Sequence, residues 1–416
     1  MTFHTALLHY AAPPDIGGVE AVLQAQARLL IKAGLPVTVI AGTGEASALP
    51  AGCELILIPE MSTQHPEILQ GAAVLERGQV PPEFESITQR LVNALRPVVA
   101  RFDRLLVHNV LTKHFNLPLT AALFRLMDEG AAKGVIAWCH DLSWSSPTSR
   151  SKVFDAYPWV LLRTARPEIS YVAVSMQRKK EIIDTFWLPA EKVQVIYNGV
   201  DVEELLGILP DTAALAARLD LWTADLVLVM PVRVTRAKNI EYALDLMMAF
   251  KRNGIRARLV ITGPPDPHDA SSGSYFAELL DLRRRLDLVD ELRFVYESGT
   301  SPDQPLLIDQ RTVAELLRLS DVMFMPSHHE GFGLPVLEAG LAGILVVTTA
   351  VPAAREIALE DAFVFSLTTS PDMLAQQLQN WLEENSQYQL RRRVRRDFTW
   401  DAIFQRQILP LLEGVR

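Results

Sequence analysis

Short apolar runs alternate along the chain with longer segments whose apolar residues recur every three or four positions. Seven runs occupy the first half and six follow residue 205: TALLHY, LPVTVIA, CELILIP, RLLVHN, GVIAWCH, SYVAVS and KVQVIYN, then ADLVLVMPV, RARLVITG, ELRFVY, DVMFMP, GILVVTT and AFVFSL. Runs of this length rich in β-branched residues are typical of buried strands, whereas segments such as VEAVLQAQARLLIKAG have the spacing of amphipathic helices. The alternation predicts two α/β halves, each with a mostly parallel, doubly wound sheet.

Two stretches lack either periodicity, and we predict loops for both, residues 60–82 and 298–310. Doubly wound sheets bind ligands at the carboxyl ends of their strands. Two such domains are expected to leave a cleft between them, which is a common place for a small-molecule site. The segments that directly follow the strands are therefore where candidate chemistry is sought.

Length, charge and cysteine content fit a two-domain protein that acts on small molecules. The 416 residues exceed the usual size of a single core. The net charge of -9 argues against nucleic acid as a partner. Two cysteines fit a reducing cytoplasm, and the N-terminus lacks the features of a signal peptide. Because no apolar run approaches the roughly 18 residues of a membrane span, we expect no transmembrane segment and a cytoplasmic location.

Candidate binding residues follow three strands of the first half. Gly17 and Gly18 open the first helix, where backbone N–H groups can approach an anion. The two glycines are also compatible with an ordinary turn between a strand and a helix. His140 and Asp141 end the fifth strand. Asp141 can fix the imidazole tautomer and leave the other nitrogen for a substrate hydroxyl, or it can cap a helix. His108 ends the fourth strand and has the same placement.

A basic loop follows the first strand of the second half. Arg233, Arg236 and Lys238 lie within six residues, directly before a predicted helix. A solvated basic loop is the plain interpretation, but this much positive charge at a strand end suits a diphosphate.

The segment SHHEGFGLPVLEAGLAG carries two carboxylates around two glycines and a proline. Pro335 predicts a helix that begins near Leu334, because the missing N–H of a proline costs nothing in a first turn. Gly331 and Gly333 then precede the helix and offer backbone N–H groups to an anion.

The two carboxylates of this segment can accept hydrogen bonds from hydroxyl groups attached to the bound anion. Glu338, in the second helical turn, can accept two neighbouring hydroxyls of a ribose, and Glu330 can accept hydroxyls beyond the phosphates. The segment therefore predicts a site for a nucleotide-linked, hydroxyl-rich group.

Residues 142–180 carry seven basic side chains against two carboxylates, an excess of five positive charges in an acidic protein. The excess suits a small acidic or phosphorylated substrate. A lipid phosphate at a membrane surface and ordinary surface charge stay open as alternatives. For the second basic run, Arg391–Arg396, we favour a solvated helix face over a membrane anchor.

Taken together, these motifs resemble the retaining nucleotide-sugar glycosyltransferases of family four, which have the GT-B architecture. The resemblance covers nearly the whole chain. Its most specific part is DVMFMPSHHEGFGLPVLEAGLAG, which matches the E-x7-E signature of the family. The other matches are GGVE, VHN, WCHD, VAVS, VIYNGVD, RVTRAKN, ITGPP and FTWDAIFQRQILPLLE.

The resemblance implies two Rossmann-like domains that face a central cleft. Residues 1–204 would form the acceptor-side domain, residues 205–395 the nucleotide-sugar domain, and residues 396–416 a helix that crosses back to the first domain. Two local departures concern loops: Asn239 stands where the family frequently has glycine, and TTAVPAAREI lacks a glycine pair, with Glu356 at the glutamate position.

Roles for individual residues also follow from the resemblance. Catalytic roles would fall on His140, Arg233, Lys238 and Glu330. Donor binding would involve Gly17, Gly18, Asn198, Gly263, Gly331, Phe332, Gly333, Leu334 and Glu338. The acceptor side would comprise His108, Asp141, Arg150, Lys152 and Arg163.

The implied activity is transfer of a hexosyl group, with retention, from a nucleotide-diphosphate sugar to a hydroxyl acceptor. No cofactor is expected. The chain has no Asp-x-Asp triplet, so we expect basic residues rather than a metal ion to stabilise the leaving diphosphate. The alternatives are a GT-B nucleotide-sugar epimerase or phosphorylase, and a catalytically inactive sugar-nucleotide-binding protein. Peripheral membrane contact stays open.

Overall fold

The computed structural model describes residues 3–15, 17–299, 301 and 304–414. The chain divides into two compact units, which we call unit 1 and unit 2. Unit 1 comprises Met1–Gly199 and Phe398–Arg416, and unit 2 comprises Val200–Asp397.

Unit 1 is built on a seven-stranded parallel sheet, and all seven strands predicted for the first half are present. The strands are β1 Thr5–Leu8, β2 Val37–Ala41, β3 Glu54–Leu57, β4 Arg104–His108, β5 Val135–Cys139, β6 Ser170–Ala173 and β7 Val193–Val195. Their order across the sheet is β3-β2-β1-β4-β5-β6-β7. The order reverses beside β1, so the loops after β1 and β4 lie at the switch point where such sheets bind ligands.

The first five helices belong to unit 1: α1 Gly18–Lys32, α2 Pro66–Leu75, α3 Phe84–Val99, α4 Leu117–Asp128 and α5 Met176–Phe186. The loop prediction for residues 60–82 was wrong in part, because α2 occupies its centre. The helix begins with Pro66 and buries only Ile68 and Leu75. Two buried residues in ten give too short an apolar stripe for the periodicity to be visible.

Unit 2 is built on a six-stranded parallel sheet of order β10-β9-β8-β11-β12-β13. Its strands are β8 Leu226–Met230, β9 Ala257–Ile261, β10 Leu292–Phe294, β11 Val322–Met325, β12 Leu345–Thr349 and β13 Phe363–Phe365. All six were predicted. Each unit is thus a Rossmann-like α/β domain, as the alternating pattern indicated.

The described residues of unit 2 form nine α-helices, in chain order α6 Val202–Leu206, α7 Pro210–Arg218, α8 Ile240–Arg252, α9 Ser272–Arg285, α10 Gln310–Leu319, α11 Leu334–Ala342, α12 Pro352–Ala358, α13 Pro371–Glu384 and α14 Ser386–Asp397. The predicted loop at 298–310 holds no strand, and a helix only at its last residue, Gln310, within its described part; Thr300, Pro302 and Asp303 lie outside the described residues.

The end of the chain returns to unit 1 as α15 Trp400–Ile403, a π-helical turn Phe404–Ile408 and α16 Leu409–Gly414. Its buried apolar side chains join the core on the α1 side of the first sheet. Trp400 packs so closely on Gly199 that a Cβ there would lie 2.8 Å from Trp400.

The basic run in α14 differs from the solvated face that the sequence suggested. Arg395 forms two hydrogen bonds of 3.0 and 2.8 Å with the carboxylate of Asp321, which is completely buried at the start of β11. Arg391 lies 3.7 Å from the same carboxylate. Across the part of the chain that the structure describes, no helix is both long and apolar enough to cross a membrane.

Candidate functional site

The segment after β11 folds as the sequence predicted. α11 begins at Leu334 with Pro335 in its first turn, and Gly333 precedes it with a φ of 88°. Glycine adopts this left-handed conformation at little cost, whereas most residues would be strained there. In this first turn Pro335 has no N–H and the N–H of Val336 donates to the Gly333 carbonyl at 2.9 Å, so the Leu334 N–H stands free of any side chain at position 333.

An ion pair joins this segment to the basic loop after β8. Lys238 Nζ lies 2.7 Å from Glu330 Oε1, and the two side chains are only 20% and 7% exposed. Ser327 donates to the same oxygen at 2.5 Å, and Thr349 donates to the Ser327 carbonyl at 2.7 Å. The loops after β8 and β11 thus converge on one carboxylate, and the last residue of β12 holds the second of these loops through the Ser327 carbonyl.

Asn239, which stands where glycine is frequent in the resembling sequences, adopts a backbone conformation that glycine favours. Its φ is 52°, in the left-handed region that favours glycine and, among other residues, asparagine. Its Nδ2 also donates to the Pro326 carbonyl at 3.2 Å. The backbone N–H of His328 donates to the Ala237 carbonyl at 2.9 Å. The loops after β8 and β11 are therefore joined by both a backbone and a side-chain hydrogen bond.

Arg233 and Gly263 occupy neighbouring loops, after β8 and β9. Arg233 is 55% exposed and contacts Asp266 at 3.4 Å rather than Glu330. A Cβ on Gly263 would lie 2.4 Å from the Val232 carbonyl oxygen, so only glycine fits this close approach.

The outer face of the α11 N-terminus consists of accessible groups. Gly331, Phe332 and Leu334 are exposed, and Glu338 is half-buried. Among the described residues, no group forms a hydrogen bond or ion pair with the Glu338 carboxylate. A carboxylate in this state is ready to accept hydroxyl donors from a ligand.

In unit 1, three histidines from the ends of β1, β4 and β5 lie next to one another. His108 Nδ1 is 3.1 Å from His140 Nε2, and the two rings lie edge to edge, with 5.4 Å between their centres and 27° between their planes. His9 Nδ1 donates to the His108 carbonyl at 3.0 Å, and its Nε2 lies 3.5 Å from Glu20 Oε1. His9 and Glu20 were not among the predicted site residues, although His9 also ends a strand.

Burial keeps the inner two histidines neutral. It lowers the pKa of His140 to about 3 and holds the pKa of His108 well below its ordinary value. The hydrogen bond from His9 lowers the pKa of the Glu20 carboxyl. His108, expected on the acceptor side, is fully buried and reaches His140 rather than solvent.

Asp141 does not orient the His140 ring in the way the sequence suggested. Its carboxylate pairs with Arg178 at 2.9 Å. The backbone N–H groups of His140 and Asp141 both donate to Asn109 Oδ1, at 2.9 and 3.1 Å. The group in contact with His140 Nε2 is therefore His108, a partner that sequence separation concealed.

Near the start of α1, Gly17 is linked to this histidine cluster through Glu20, which lies 3.5 Å from His9. The Glu20 carboxylate folds back over Gly17, where a Cβ would lie 2.1 Å from Glu20 Oε2. The space beside Gly18 is open. Asn198, beyond β7, is exposed.

Most of the positive charge of residues 142–180 is neutralised by the fold. Four of its basic side chains form ion pairs with carboxylates, most of which lie outside the segment: Lys152 with Glu76, Arg163 with Asp155, Arg166 with Asp128 and Glu168, and Arg178 with Asp141 and Glu181. The guanidinium groups of Arg150 and Arg163 lie 4.8 and 4.1 Å from the ring centre of Trp144. Most of the excess positive charge counted along the sequence is thus balanced by carboxylates that the fold brings to the segment.

Lys113, which the sequence did not single out, is a buried cation at the same end of the sheet. It is 7% exposed, and its Nζ lies 3.4 Å from Ser149 Oγ and 4.8 Å from the centre of the Phe115 ring. Within the described residues, no carboxylate forms an ion pair with it. Burial lowers the pKa of its ammonium. Only its position, five residues beyond the end of β4, could have marked Lys113 in the sequence as a candidate site residue.

The described residues contain no group of three or more His, Cys, Asp or Glu side chains arranged to hold a metal ion.

Two family models match the chain in succession. The model described as Glycosyltransferase Family 4 matches residues 16–204, and the model described as Glycosyl transferases group 1 matches residues 216–397. Between them they cover most of both units.

Curated relatives are similar over part or most of the chain. A D-inositol 3-phosphate glycosyltransferase of Kineococcus radiotolerans is 30% identical over 46% of this chain and 41% of its own length. The protein of that name from Streptomyces coelicolor is 25% identical over 84% of this chain and 76% of its own. The N-acetyl-alpha-D-glucosaminyl L-malate synthase of Bacillus anthracis is 25% identical over 41% and 38%. The chain thus spans about two fifths of the length of two of these three relatives.

Proposed function

The chain belongs to the glycosyltransferases of family four, and we propose that it moves a hexosyl group, with retention, from a nucleotide-diphosphate sugar to an acceptor hydroxyl. The observation that carries this proposal is the Lys238–Glu330 pair beside the N-terminus of α11. It brings a cation and a carboxylate beside the start of a helix, and this combination supports the binding of a diphosphate with an attached sugar.

In the proposed complex, the donor lies along the start of α11. The Leu334 N–H binds a phosphate oxygen, and Glu338 accepts the ribose hydroxyls. Glu330 accepts hydroxyls of the sugar, with the backbone of Phe332 close by. The partnerless state of Glu338 supports its assignment, because a ligand need not displace any other group.

Lys238 and Arg233 stabilise the charge that grows on the leaving diphosphate. Lys238 is already oriented by Glu330, whereas Arg233 is exposed and its contact with Asp266 is long. Exposed pairs of that kind contribute little, about 0–1 kcal/mol, so Arg233 can turn to a phosphate at small cost. We propose that these two cations serve in place of a metal ion.

His140 touches the donor sugar near the reacting carbon, and Gly18 borders the diphosphate. The acceptor hydroxyl attacks from the face that the diphosphate leaves, and a diphosphate oxygen takes its proton. No carboxylate of the described site is assigned as a covalent nucleophile.

We propose an acidic or phosphorylated acceptor bound on the side of unit 1. Inositol 3-phosphate and L-malate, in the names of two relatives, are both anionic, and Lys113 is a buried cation that an anion would neutralise. Asp141, Arg150, Lys152 and Arg163 would border this acceptor. The present ion pairs of Asp141, Lys152 and Arg163 would have to exchange for contacts to it.

A panel of UDP-, GDP- and ADP-sugars tests the donor assignment. We expect at least one to raise the melting temperature and to be consumed when L-malate or inositol phosphate is added. Consumption without any acceptor would indicate an epimerase or hydrolase, and binding without consumption an inactive binding protein. If no sugar nucleotide binds, the proposal is refuted.

A further inference from the structure

We infer that His108 is a positioning residue that fixes the ring proton of His140 on Nδ1, so that His140 presents a neutral N–H donor to its ligand. The inference about the tautomer is independent of the proposed function, whereas its catalytic consequence rests on it.

The two rings are held so that only one pair of nitrogens can interact. The His108 ring lies beside Trp138 of the neighbouring strand, with 5.8 Å between the ring centres and 28° between the planes, and it lies edge to edge with the His140 ring, with 5.4 Å and 27°. The backbone of His140 is fixed by its hydrogen bond to Asn109 Oδ1, and that of His108 by the bond from His9. His108 Nδ1 therefore faces His140 Nε2 at 3.1 Å.

Two neutral proton arrangements are compatible with this contact. In the first, His140 Nε2–H donates to His108 Nδ1, and His108 then carries its proton on Nε2. In the second, His108 Nδ1–H donates to His140 Nε2, and His140 carries its proton on Nδ1. A charged ring is disfavoured in either position by burial and by the neighbouring His9.

The other nitrogen of His108 decides between them. Its Nε2 is buried without a hydrogen-bond partner. The first arrangement would place an N–H there, and orphaned buried N–H groups are rarer in proteins than under-satisfied acceptors. The second arrangement leaves only a lone pair unsatisfied, and it is the one we assign.

The tautomer determines whether Nδ1, the ring nitrogen of His140 that faces away from His108, is a donor or an acceptor. Among the described residues, its Nδ1 is neither hydrogen-bonded nor enclosed. In the assigned tautomer this nitrogen donates to an oxygen of the ligand. In the other tautomer it would present a lone pair to the same sugar oxygen, which can act only through its own hydroxyl proton. His108 therefore favours one orientation of the donor sugar without touching it.

The tautomer is measured directly by two-bond ¹H–¹⁵N correlation spectra of the full-length, histidine-labelled protein near pH 7.5, without ligand. Spectra of His108→Asn and His140→Asn assign the two rings. We expect His140 in the Nδ1–H form. If His140 in the wild-type protein carries its proton on Nε2, the inference is overturned, whatever the enzyme's activity.

Turnover tests the positioning role. His108→Asn retains a side-chain N–H close to the place of Nδ1–H, whereas His108→Leu removes it. We expect His108→Leu to lower kcat roughly tenfold to a hundredfold with little change in donor KM, and His108→Asn to recover most of the loss. His65→Asn, elsewhere in unit 1, is the matched control.

Three outcomes separate the possible failures. Equal kcat for His108→Leu, His108→Asn and wild type, with all three folded, would refute the positioning role. If His108→Leu does not fold, His108→Asn must still keep kcat near the wild-type value, and a loss as large as that of His140→Ala refutes the role. Absence of any wild-type turnover would refute the proposed function and leave the spectroscopic result to decide the tautomer.

Discussion

At the scale of single residues, Lys238 and Glu330 depend on each other. Both side chains are largely buried, and each is the counter-charge of the other. Removing one partner of such a pair leaves an uncompensated charge, which is more costly than losing the attraction alone. Glu338 differs, because its carboxylate makes no contact that folding requires.

Glu338→Ala should therefore separate binding from folding. We expect the melting temperature to stay within about 2 °C of wild type, since no described group loses a partner. Donor KM should rise strongly with kcat nearly unchanged, because a ribose contact is the same in the ground and transition states. Glu384→Ala in α13 is the control, and an unchanged KM would remove Glu338 from the ribose.

Arg233→Ala and Lys238→Ala should instead lower kcat, because charge on the diphosphate grows as the bond breaks. The two should differ in stability. Only Lys238→Ala strands a buried carboxylate, so its melting temperature should fall, whereas Arg233→Ala should stay near wild type. Steady-state kinetics and thermal unfolding of both variants check this. Equal losses in donor affinity and turnover would show that they only bind.

Lys113→Met should stabilise the protein at neutral pH. Because burial lowers the pKa of Lys113, the unfolded chain binds this proton more readily than the folded protein. The free energy of unfolding therefore rises with pH between the folded-state pKa of Lys113 and about 10.4. Below the folded-state pKa, the protein carries the full energetic cost of burying the charged ammonium. We expect a gain of about 1 kcal/mol at pH 7 that shrinks toward pH 10.

Urea unfolding at pH 7, 8.5 and 9.5 measures this gain, with the exposed Lys180→Met as control. Acceptor KM should rise in the same variant, since the proposed anion partner is lost. A destabilised Lys113→Met would mean that the ammonium is better solvated than its burial indicates.

At the scale of elements, α14 is attached to unit 2 by hydrogen bonds from Arg395 and Tyr388 to the Asp225 carbonyl and by ion pairs with one buried carboxylate. Asp321 accepts from the backbone N–H of Val227 at 2.8 Å as well as from Arg395. The helix that looked solvated in sequence is therefore anchored by a buried charge at the start of β11.

Asp321→Ala should cost about 3–5 kcal/mol, because it removes the buried counter-charge of Arg395 and Arg391 and the carboxylate acceptor of the Val227 N–H. Asp290→Ala, which breaks an exposed pair with Arg293, should cost under about 1 kcal/mol. Chemical unfolding followed by circular dichroism compares them. A cost for Asp321→Ala as small as that for Asp290→Ala would mean that α14 is held by its apolar contacts alone.

The elements also show where sequence reasoning succeeds. All thirteen strands and the start of α11 could be predicted, because buried parallel strands are continuous apolar runs and a proline marks a first turn. α2 could not, since its apolar stripe is too short. The His108–His140 contact and part of the charge neutralisation in residues 142–180 were missed because the partners lie far away along the chain, as Glu76 does for Lys152. Another partner, Glu181 for Arg178, lies just beyond the end of the segment and was left out of the charge count.

At the scale of the whole molecule, the two units each carry part of the proposed chemistry. Unit 2 holds the groups assigned to the diphosphate, ribose and sugar, and unit 1 holds the histidine cluster and Lys113. The last helices complete the core of unit 1, which therefore cannot be completed until the chain has passed through unit 2.

The most direct test of the account is to follow one turnover reaction by ¹H NMR in the presence of EDTA, with the best sugar nucleotide and an anionic acceptor. The anomeric coupling of the product reports the configuration. The account predicts a product with the donor's own anomeric configuration, formed at an undiminished rate. An inverted product, or a rate abolished by EDTA and restored by a divalent cation, would contradict it.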